Sequence, residues 1–160
     1  MSVLLFIVQS TTGRFFLSLR KKGGVDIQIK FTGSDHQEFF NWIVTKDGCG
    51  KDSYRLALFY LIGVCETMRL NYKDIYDIEE HVANVKSLNS GWQTGTSVRL
   101  TRLGLNLYNG WYGFDYETQK QIDPAEMYSP YELFCHELAE YALIAVGLRY
   151  ERYIILTLNE

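Results

Sequence analysis

The segment at residues 91–97, GWQTGTS, combines two glycines with three hydroxyl side chains directly before a predicted helix. Backbone N–H groups and the positive dipole end at a helix N-terminus favour a bound anion. Arg99, Arg102 and Asn106 follow at spacings of three and four residues, so they share one face of that helix. Because guanidinium groups bind phosphate or carboxylate in bidentate fashion, we expect a pocket for a small anionic, phosphate-containing or nucleotide-like ligand. Its expected ligand-binding residues are Trp92, Thr94, Thr96, Ser97, Arg99, Arg102 and Asn106.

A second interpretation of the same segment stays open. The segment has neither the Gly-Lys-Ser/Thr sequence of a P-loop nor a GxGxxG sequence after a strand, so it carries no nucleotide-binding fingerprint. The residues equally suit an ordinary amphipathic helix capped by Thr94 or Thr96. In that arrangement Arg99 and Arg102 pair with acidic residues of the 115–140 region instead of with a ligand.

Residues 108–140 are acidic and rich in aromatic side chains. The 115–140 region holds seven acidic residues against one base, Lys120, and a group of aromatic residues between positions 108 and 116 surrounds a predicted loop. Exposed aromatic residues in a loop are typical of a contact surface, and the acids favour a basic protein partner. Alternatively, the loop folds back on the core and buries its rings. The expected partner-binding residues are Trp111, Tyr112, Tyr116 and Glu126.

No combination of residues identifies a catalytic site or a metal site. The sequence HELAE at residues 136–140 resembles the HExxH zinc motif, but its last position is glutamate where a second histidine is required. Cys65 lies in an apolar helix, and Cys49, between two glycines, is expected to be the exposed thiol. Residues 79–81 are expected to lie on a solvated helix edge. We therefore expect no catalytic residue, no metal and no cofactor.

Composition places the chain among globular proteins. Hydrophobic residues make up 47% and charged residues 22% of its 160 residues. The net charge of −3 excludes a polyanion binder that acts through overall charge, so we expect no binding to duplex nucleic acid. Three cysteines without paired spacing argue against a disulfide framework. Because no apolar run has the features of a signal peptide or a membrane helix, the sequence predicts a cytoplasmic protein.

Both ends of the sequence have strand-like composition. Three β-prone runs separated by glycine-containing turns lie between residues 3 and 31, and YIILTL forms a further run at residues 153–158. We expect a small antiparallel sheet from the chain termini, whose exposed edges could support a homodimer. Alternatively, residues 1–26 are an extension outside the native product, and the globular pattern begins near Ile27.

The middle of the chain is predicted to be helical. Apolar residues nearly encircle the helix at residues 53–65, which Asp52 caps, so this helix is expected to lie at the centre of the core. Gly110 is expected to end the helix that follows the GWQTGTS segment. Periodicity and capping residues predict helices at about residues 34–44, 53–65, 76–85, 94–108 and 130–149, the last broken near residue 137.

These elements predict a mainly α fold of the α+β class. Four to five helices surround the central apolar helix, and a small antiparallel sheet lies to one side. We expect a single domain over residues 1–160. It comprises a β-rich extension at 1–30, a helical core at 31–153 and a terminal strand at 153–158.

Four motifs carry a resemblance to a known family: YRLALFY, GWQTGTSVRLTRLGLNLYNG, SPYELF and GLRYERY, in that order. Over roughly residues 31–153 the chain resembles an uncharacterised family of small proteins from low-GC Gram-positive bacteria, their phages and conjugative elements. The resemblance assigns no activity and therefore no catalytic residue. Its mobile-element context implies an accessory protein that blunts a host defence by binding a host component or a signalling nucleotide.

The leading expectation is therefore a non-enzymatic phage or mobile-element protein of anti-defence type, with a phosphate or nucleotide pocket at residues 91–97. The alternative is a protein–protein inhibitor that presents residues 108–140 to a host defence or nucleic-acid-binding effector. A metal-dependent hydrolase or nuclease ranks third, because no acid–base pair or metal set has recognisable spacing.

Overall fold

The computed structural model describes residues 5–11, 14–20 and 27–150, and α-helix is the main secondary structure within them. The predicted mainly α fold of the α+β class is confirmed. Two short 3-10 helices span Val85–Asn89 and Ala125–Tyr128. The seven α-helices of the described residues are α1 (Ser34–Asp47), α2 (Ser53–Val64), α3 (Glu66–Leu70), α4 (Tyr72–Ile75), α5 (Gly95–Asn109), α6 (Pro130–Phe134) and α7 (Ala139–Arg149).

Short antiparallel strands complete the fold: β1 (Leu5–Thr11), β2 (Arg14–Arg20), β3 (Ile27–Lys30), β4 (Tyr76–Asp77), β5 (Val82–Ala83), β6 (Phe114–Asp115) and β7 (Lys120–Gln121). Strands β1, β2 and β3 pair in that order, with Leu5 opposite Arg20 and Phe16 opposite Lys30. The predicted strands between residues 3 and 31 are therefore confirmed. The predicted strand at 153–158 lies outside the described residues. Strands β4 and β5 form one hairpin, and β6 and β7 form another.

Helix α2 lies at the centre of the core, as predicted. Asp52 caps it, because its Oδ1 accepts hydrogen bonds from the backbone N–H groups of Tyr54 (2.9 Å) and Arg55 (3.3 Å). Residues 57–64 are all buried, and α1, α5 and α7 pack around them. A helix covered on every side has no polar face, which explains its almost uninterrupted apolar sequence.

Strand β3 attaches the amino-terminal sheet to the helices. Ile29 and Phe31 are buried in the same hydrophobic cluster as α2. The hydroxyl of Tyr60, in α2, donates a hydrogen bond to the carbonyl of Lys30. The buried side chains of Ile29 and Phe31 and the hydrogen bond from Tyr60 fix β3 against the core.

Capping residues set several helix boundaries where the sequence predicts them. Thr94 caps α5, and Gly110 ends it in the left-handed conformation with φ 78°. Ser129 caps α6 by accepting a hydrogen bond from the backbone N–H of Glu132 (3.3 Å). The predicted break near residue 137 is confirmed, since residues 135–138 separate α6 from α7.

The predicted helix at residues 76–85 is wrong. The chain forms the β4–β5 hairpin there. The side chain of Asp77 accepts hydrogen bonds from the backbone N–H groups of Glu79 (2.9 Å) and Glu80 (3.1 Å), which gives the backbone a turn in place of a helix. His81 follows with φ 55°, a left-handed conformation that no α-helix contains.

His36 in α1 is fully buried and hydrogen-bonded at both ring nitrogens. Its Nδ1 accepts a hydrogen bond from the backbone N–H of Thr32 (3.2 Å), so Nε2 carries the proton and donates to the carbonyl of Tyr60 (2.9 Å). Burial lowers the pKa of His36 to about 3, with the hydrogen bond to Tyr60 opposing the shift and the charge of Arg69 adding to it. The imidazole is therefore neutral in the folded protein near neutral pH.

We expect the protein to lose stability in acid because of His36. An unfolded histidine titrates near pH 6.5, so between there and about pH 3 the unfolded state binds one more proton at this position. The contribution of neutral His36 to the free energy of unfolding is complete above about pH 6.5. As the pH falls from there toward about 3, this contribution declines by up to about 1.4 kcal/mol per pH unit. Urea unfolding of the wild type and of His36→Gln measures the slope. Equal slopes for the two proteins would contradict the assignment.

Candidate functional site

The N-terminus of α5 is capped by the protein's own side chains. The backbone N–H of Ser97 donates to Thr94 Oγ1 (3.1 Å), and the backbone N–H of Thr94 donates to Ser97 Oγ (2.7 Å). Ser97 is buried, and its hydroxyl donates in turn to Gln93 Oε1 (2.7 Å). This reciprocal capping satisfies backbone donors that a bound anion at this position would otherwise use.

Arg99 connects α5 to α6 and the residue after it. One guanidinium nitrogen donates to the carbonyl of Cys135 (2.7 Å), and another donates to Glu132 Oε2 (3.1 Å). Both members of the Arg99–Glu132 pair are about three-quarters buried, at 27% exposure each. Arg99 therefore faces a carboxylate and a carbonyl within the chain.

Arg102 connects α5 to the segment that follows β7. Its Nε and a terminal nitrogen donate to the two oxygens of Asp123 at 2.7 and 2.8 Å, a bidentate pair. The hydroxyl of Tyr128 donates to the same carboxylate at 2.8 Å. The hydrogen bond to Asp123 raises the pKa of Arg102, and this effect outweighs the lowering of the pKa by burial. This pair braces the chain between β7 and α6 against α5.

The remaining predicted ligand residues also have partners within the chain. Trp92 Nε1 donates to a carboxylate oxygen of Asp74 (2.9 Å), and Thr96 Oγ1 donates to Glu137 Oε1 (3.1 Å). Asn106 donates through Nδ2 to a backbone carbonyl just after α5 (3.1 Å). All seven predicted ligand-binding residues thus form intramolecular hydrogen bonds, the arrangement of the capped-helix interpretation, and the ligand pocket stays a prediction.

Three aromatic rings form a row on the β6–β7 hairpin. Contacts between their rings place Tyr112, Phe114 and Tyr116 side by side. The rings of Tyr112 and Phe114 are stacked with centroids 6.5 Å apart, and those of Phe114 and Tyr116 meet edge to face at 5.0 Å. Tyr112 is 41% exposed and Tyr116 65% exposed. The row therefore presents large aromatic side chains to solvent.

Gly113 fixes the base of this hairpin. Its φ of 91° lies in the left-handed region, and a β-carbon there would overlap the backbone carbonyl of Asp123. The carbonyl of Gly113 accepts hydrogen bonds from the backbone N–H groups of Ile122 (2.8 Å) and Asp123 (3.2 Å). Close backbone contact at this point holds the aromatic row in one position relative to α5.

The four predicted partner-binding residues separate into two groups. Tyr112 and Tyr116 belong to the aromatic row, and Glu126 is exposed on the segment that follows. Trp111 is half-buried and packs edge to face on Tyr128, with ring centroids 5.9 Å apart. Trp111 therefore supports the hairpin, whereas the other three residues face solvent.

Asp47 and His81 form a cluster that the sequence does not predict. The carboxylate of Asp47, at the end of α1, is fully buried. One of its oxygens lies 2.7 Å from Nδ1 of His81 and accepts a hydrogen bond from the hydroxyl of Tyr76 (3.1 Å). The other accepts from the guanidinium of Arg55 (2.8 Å). Elements α1, α2 and the β4–β5 hairpin meet at this carboxylate.

Comparison with known proteins assigns the chain to a family. The model of a family of unknown function, DUF6075, matches residues 26–159. The chain belongs to this family. No curated protein and no solved structure matches it.

The DUF6075 match includes every described helix, the hairpin of aromatic residues and the Asp47–His81 cluster. Local sequence patterns do not predict the cluster because its members are far apart in sequence: Asp47 and His81 are separated by 34 positions. Local periodicity predicts a helix edge at His81 and gives no information on a contact with α1. The Asp-X-Glu-Glu turn before His81 is the one local signal that could have suggested a hairpin.

The cysteines of this DUF6075 member differ from the sequence expectation. Cys49 is buried, not exposed, because it packs beneath the end of α1 with the hydrophobic core. Burial and the adjacent charge of Asp47 raise the pKa of Cys49 to about 12, so this thiol stays protonated. Cys135, between α6 and α7, is the exposed cysteine.

The described part of this DUF6075 chain holds neither a metal-ligand cluster nor a membrane-spanning helix. Across residues 5–11, 14–20 and 27–150, no three His, Cys, Asp or Glu side chains come together in a way that could hold a metal ion. In the same part of the chain, every helix is too short or too polar to cross a lipid bilayer.

Proposed function

We propose that the protein engages an arginine-rich segment of a partner protein through the β6–β7 hairpin. The observation that carries this proposal is the row of Tyr112, Phe114 and Tyr116, held rigidly by Gly113 yet exposed. Rigid, exposed tyrosines supply large contact area at small entropic cost, which is why they are enriched in protein-binding surfaces.

Charge indicates the chemistry of the partner. Several acids of the 115–140 region are engaged within the chain, among them Asp123 by Arg102 and Glu132 by Arg99. Glu117 and Glu126 are exposed, and no ion pair to them is found in the described part of the chain. A guanidinium group can stack on a tyrosine face and pair with a neighbouring carboxylate at the same time. An arginine-rich segment therefore complements both features of the hairpin.

The other functions stay predictions with less geometric support. The anion pocket would require Arg99 and Arg102 to exchange the carboxylates that they already contact for a ligand. The anti-defence role, the phage or mobile-element setting and the homodimer also stay predictions. In a phage or mobile-element setting, the proposed hairpin surface would inhibit a basic, nucleic-acid-binding effector of the host.

Removing the exposed tyrosines is expected to weaken binding to a basic peptide. Tyr116→Ala should raise the Kd for an arginine-rich peptide about tenfold or more, since it removes an aromatic anchor from the contact. A lysine-rich peptide of equal charge should bind the wild type more weakly, because an ammonium group stacks less well on a tyrosine. Isothermal titration calorimetry at two salt concentrations measures both effects.

A matched control separates the hairpin from the rest of the surface. Tyr131 in α6 is 70% exposed and lies outside the aromatic row, so Tyr131→Ala should leave the Kd unchanged. Glu126→Lys should weaken binding and reduce its salt dependence. Equal losses in Tyr116→Ala and Tyr131→Ala, or none in either, would overturn the proposal.

A further inference from the structure

His81 differs from the other two histidines in having one ring nitrogen available. Both ring nitrogens of His36 contact backbone groups in the core. Those of His136 do so as well: Nε2 lies 2.9 Å from the carbonyl of Leu133, and Nδ1 accepts from the N–H of Leu138 (3.2 Å). Nε2 of His81 has no hydrogen-bond partner within the described residues, and the side chain is 52% exposed.

The buried carboxylate of Asp47 sets the tautomer of His81. Because Nδ1 lies 2.7 Å from Asp47 Oδ1, the neutral imidazole carries its proton on Nδ1 and donates it to the carboxylate. The lone pair is then on Nε2 of this half-exposed side chain. Hydrogen bonds from Arg55 and Tyr76 hold the carboxylate in place. A fixed carboxylate on Nδ1 also stabilises positive charge that develops on the ring when Nε2 forms a bond.

Two elements fix the backbone position of His81. Its φ of 55° is uncommon for a residue other than glycine. The hydroxyl of Tyr108, in α5, donates a hydrogen bond to the carbonyl of His81 (2.7 Å), so a second element fixes this position.

The charges near His81 select the kind of molecule that could react there. Asp47 and Asp52 share a single cationic partner, Arg55. Exposed glutamates occupy the two positions that precede His81. This negative environment repels anionic phosphoryl donors. Neutral acyl donors, the esters and thioesters, meet no such repulsion.

We propose that His81 is a nucleophilic site that accepts an acyl group from a neutral activated ester or thioester, with Asp47 as its positioning residue. The Nε2 lone pair attacks the carbonyl carbon, a C–N bond forms and the C–O or C–S bond breaks. The leaving group departs with the electron pair and takes up a proton from solvent, while the Nδ1 proton stays hydrogen-bonded to Asp47 on the acylated ring. Attack of water on the acyl-imidazolium then yields the carboxylic acid, returns a proton to solvent and restores neutral His81. This chemistry is independent of the hairpin surface.

The test uses diethyl pyrocarbonate, a neutral acyl donor, on the full-length protein. Peptide mass spectrometry over time gives the rate at each of the three histidines, and a synthetic peptide of residues 77–85 gives the rate of the same histidine without Asp47. We expect His81 to react about tenfold faster than the peptide, because a charge-assisted hydrogen bond to Asp47 is present only in the folded protein. A rate equal to or below that of the peptide would overturn the proposal.

Two variants identify the source of the reactivity. His81→Asn removes the imidazole, and asparagine tolerates the left-handed backbone, so the rapid acylation should vanish from a folded protein. Asp47→Asn should reduce the rate at His81 to that of the peptide, an effect that a purely structural aspartate would not have. If Asp47→Asn is folded and His81 keeps its rate, the role of Asp47 is wrong. If it does not fold, the comparison of protein with peptide decides the proposal.

Discussion

Replacing Arg102 by alanine is expected to lower the free energy of unfolding by about 2–3 kcal/mol. The carboxylate of Asp123, whose side chain is 13% exposed, would lose both guanidinium donors and keep the hydroxyl of Tyr128. An under-satisfied carboxylate in this position is costly to keep out of water. Urea unfolding followed by circular dichroism measures the loss, which should come with greater mobility of the β6–β7 hairpin.

Removing both partners provides the internal control for this pair. Arg102→Ala combined with Asp123→Ala should lose less stability than the two single changes together, by about 1 kcal/mol or more. Arg99→Ala, whose pair with Glu132 is more exposed, should cost less than Arg102→Ala. Wild-type stability in Arg102→Ala would contradict the bracing role and favour the anion pocket, in which this arginine serves a ligand.

Gly63→Ala is expected to be at least as damaging, with a loss of about 3 kcal/mol. A β-carbon at this position in α2 would overlap Cδ2 of His36 and lie 2.9 Å from its Nε2. The ring cannot turn aside without breaking its hydrogen bonds to Thr32 and Tyr60. The substitution must therefore push α1 away from α2 or leave buried polar groups unpaired.

A glycine-to-alanine substitution in α7 should instead stabilise the protein. Gly147 also lies within a helix, and no described atom lies within 4 Å of a β-carbon added there. Gly147→Ala should raise stability by up to about 1 kcal/mol, because alanine is the better helix former. Gly63→Ala combined with His36→Ala should lose less stability than the sum of the two single changes, because the overlapping ring is absent. Similar effects at positions 63 and 147 would show that helix propensity, and not the contact with His36, dominates.

The central helix and its cap could be predicted because their signals are local. Asp52 stands next to the residues that it caps, and the apolar run of α2 is continuous in sequence. The same holds for Thr94, Gly110 and Ser129 at the ends of α5 and α6. Each of these features depends on side chains within a few positions of one another.

The contacts at the candidate sites could not be predicted from spacing. The partner of Arg102 is 21 positions away, and that of Asp47 is 34 positions away in a segment that forms a hairpin. The sequence correctly marks the arginines as groups that bind carboxylates, but it does not show whether the carboxylate belongs to a ligand or to the chain. Only the tertiary structure decides which acid lies within reach.

The position of α2 also determines when the core can close during synthesis. Helix α1 is made before α2, but α5 and α7 are made after it and cover its remaining faces. Until α7 emerges, apolar side chains of α2 stay in contact with water or with a chaperone. Contacts between such distant segments also slow folding, because a long loop must close before they form. The nascent chain therefore passes through an open, aggregation-sensitive stage that ends only when α7 docks.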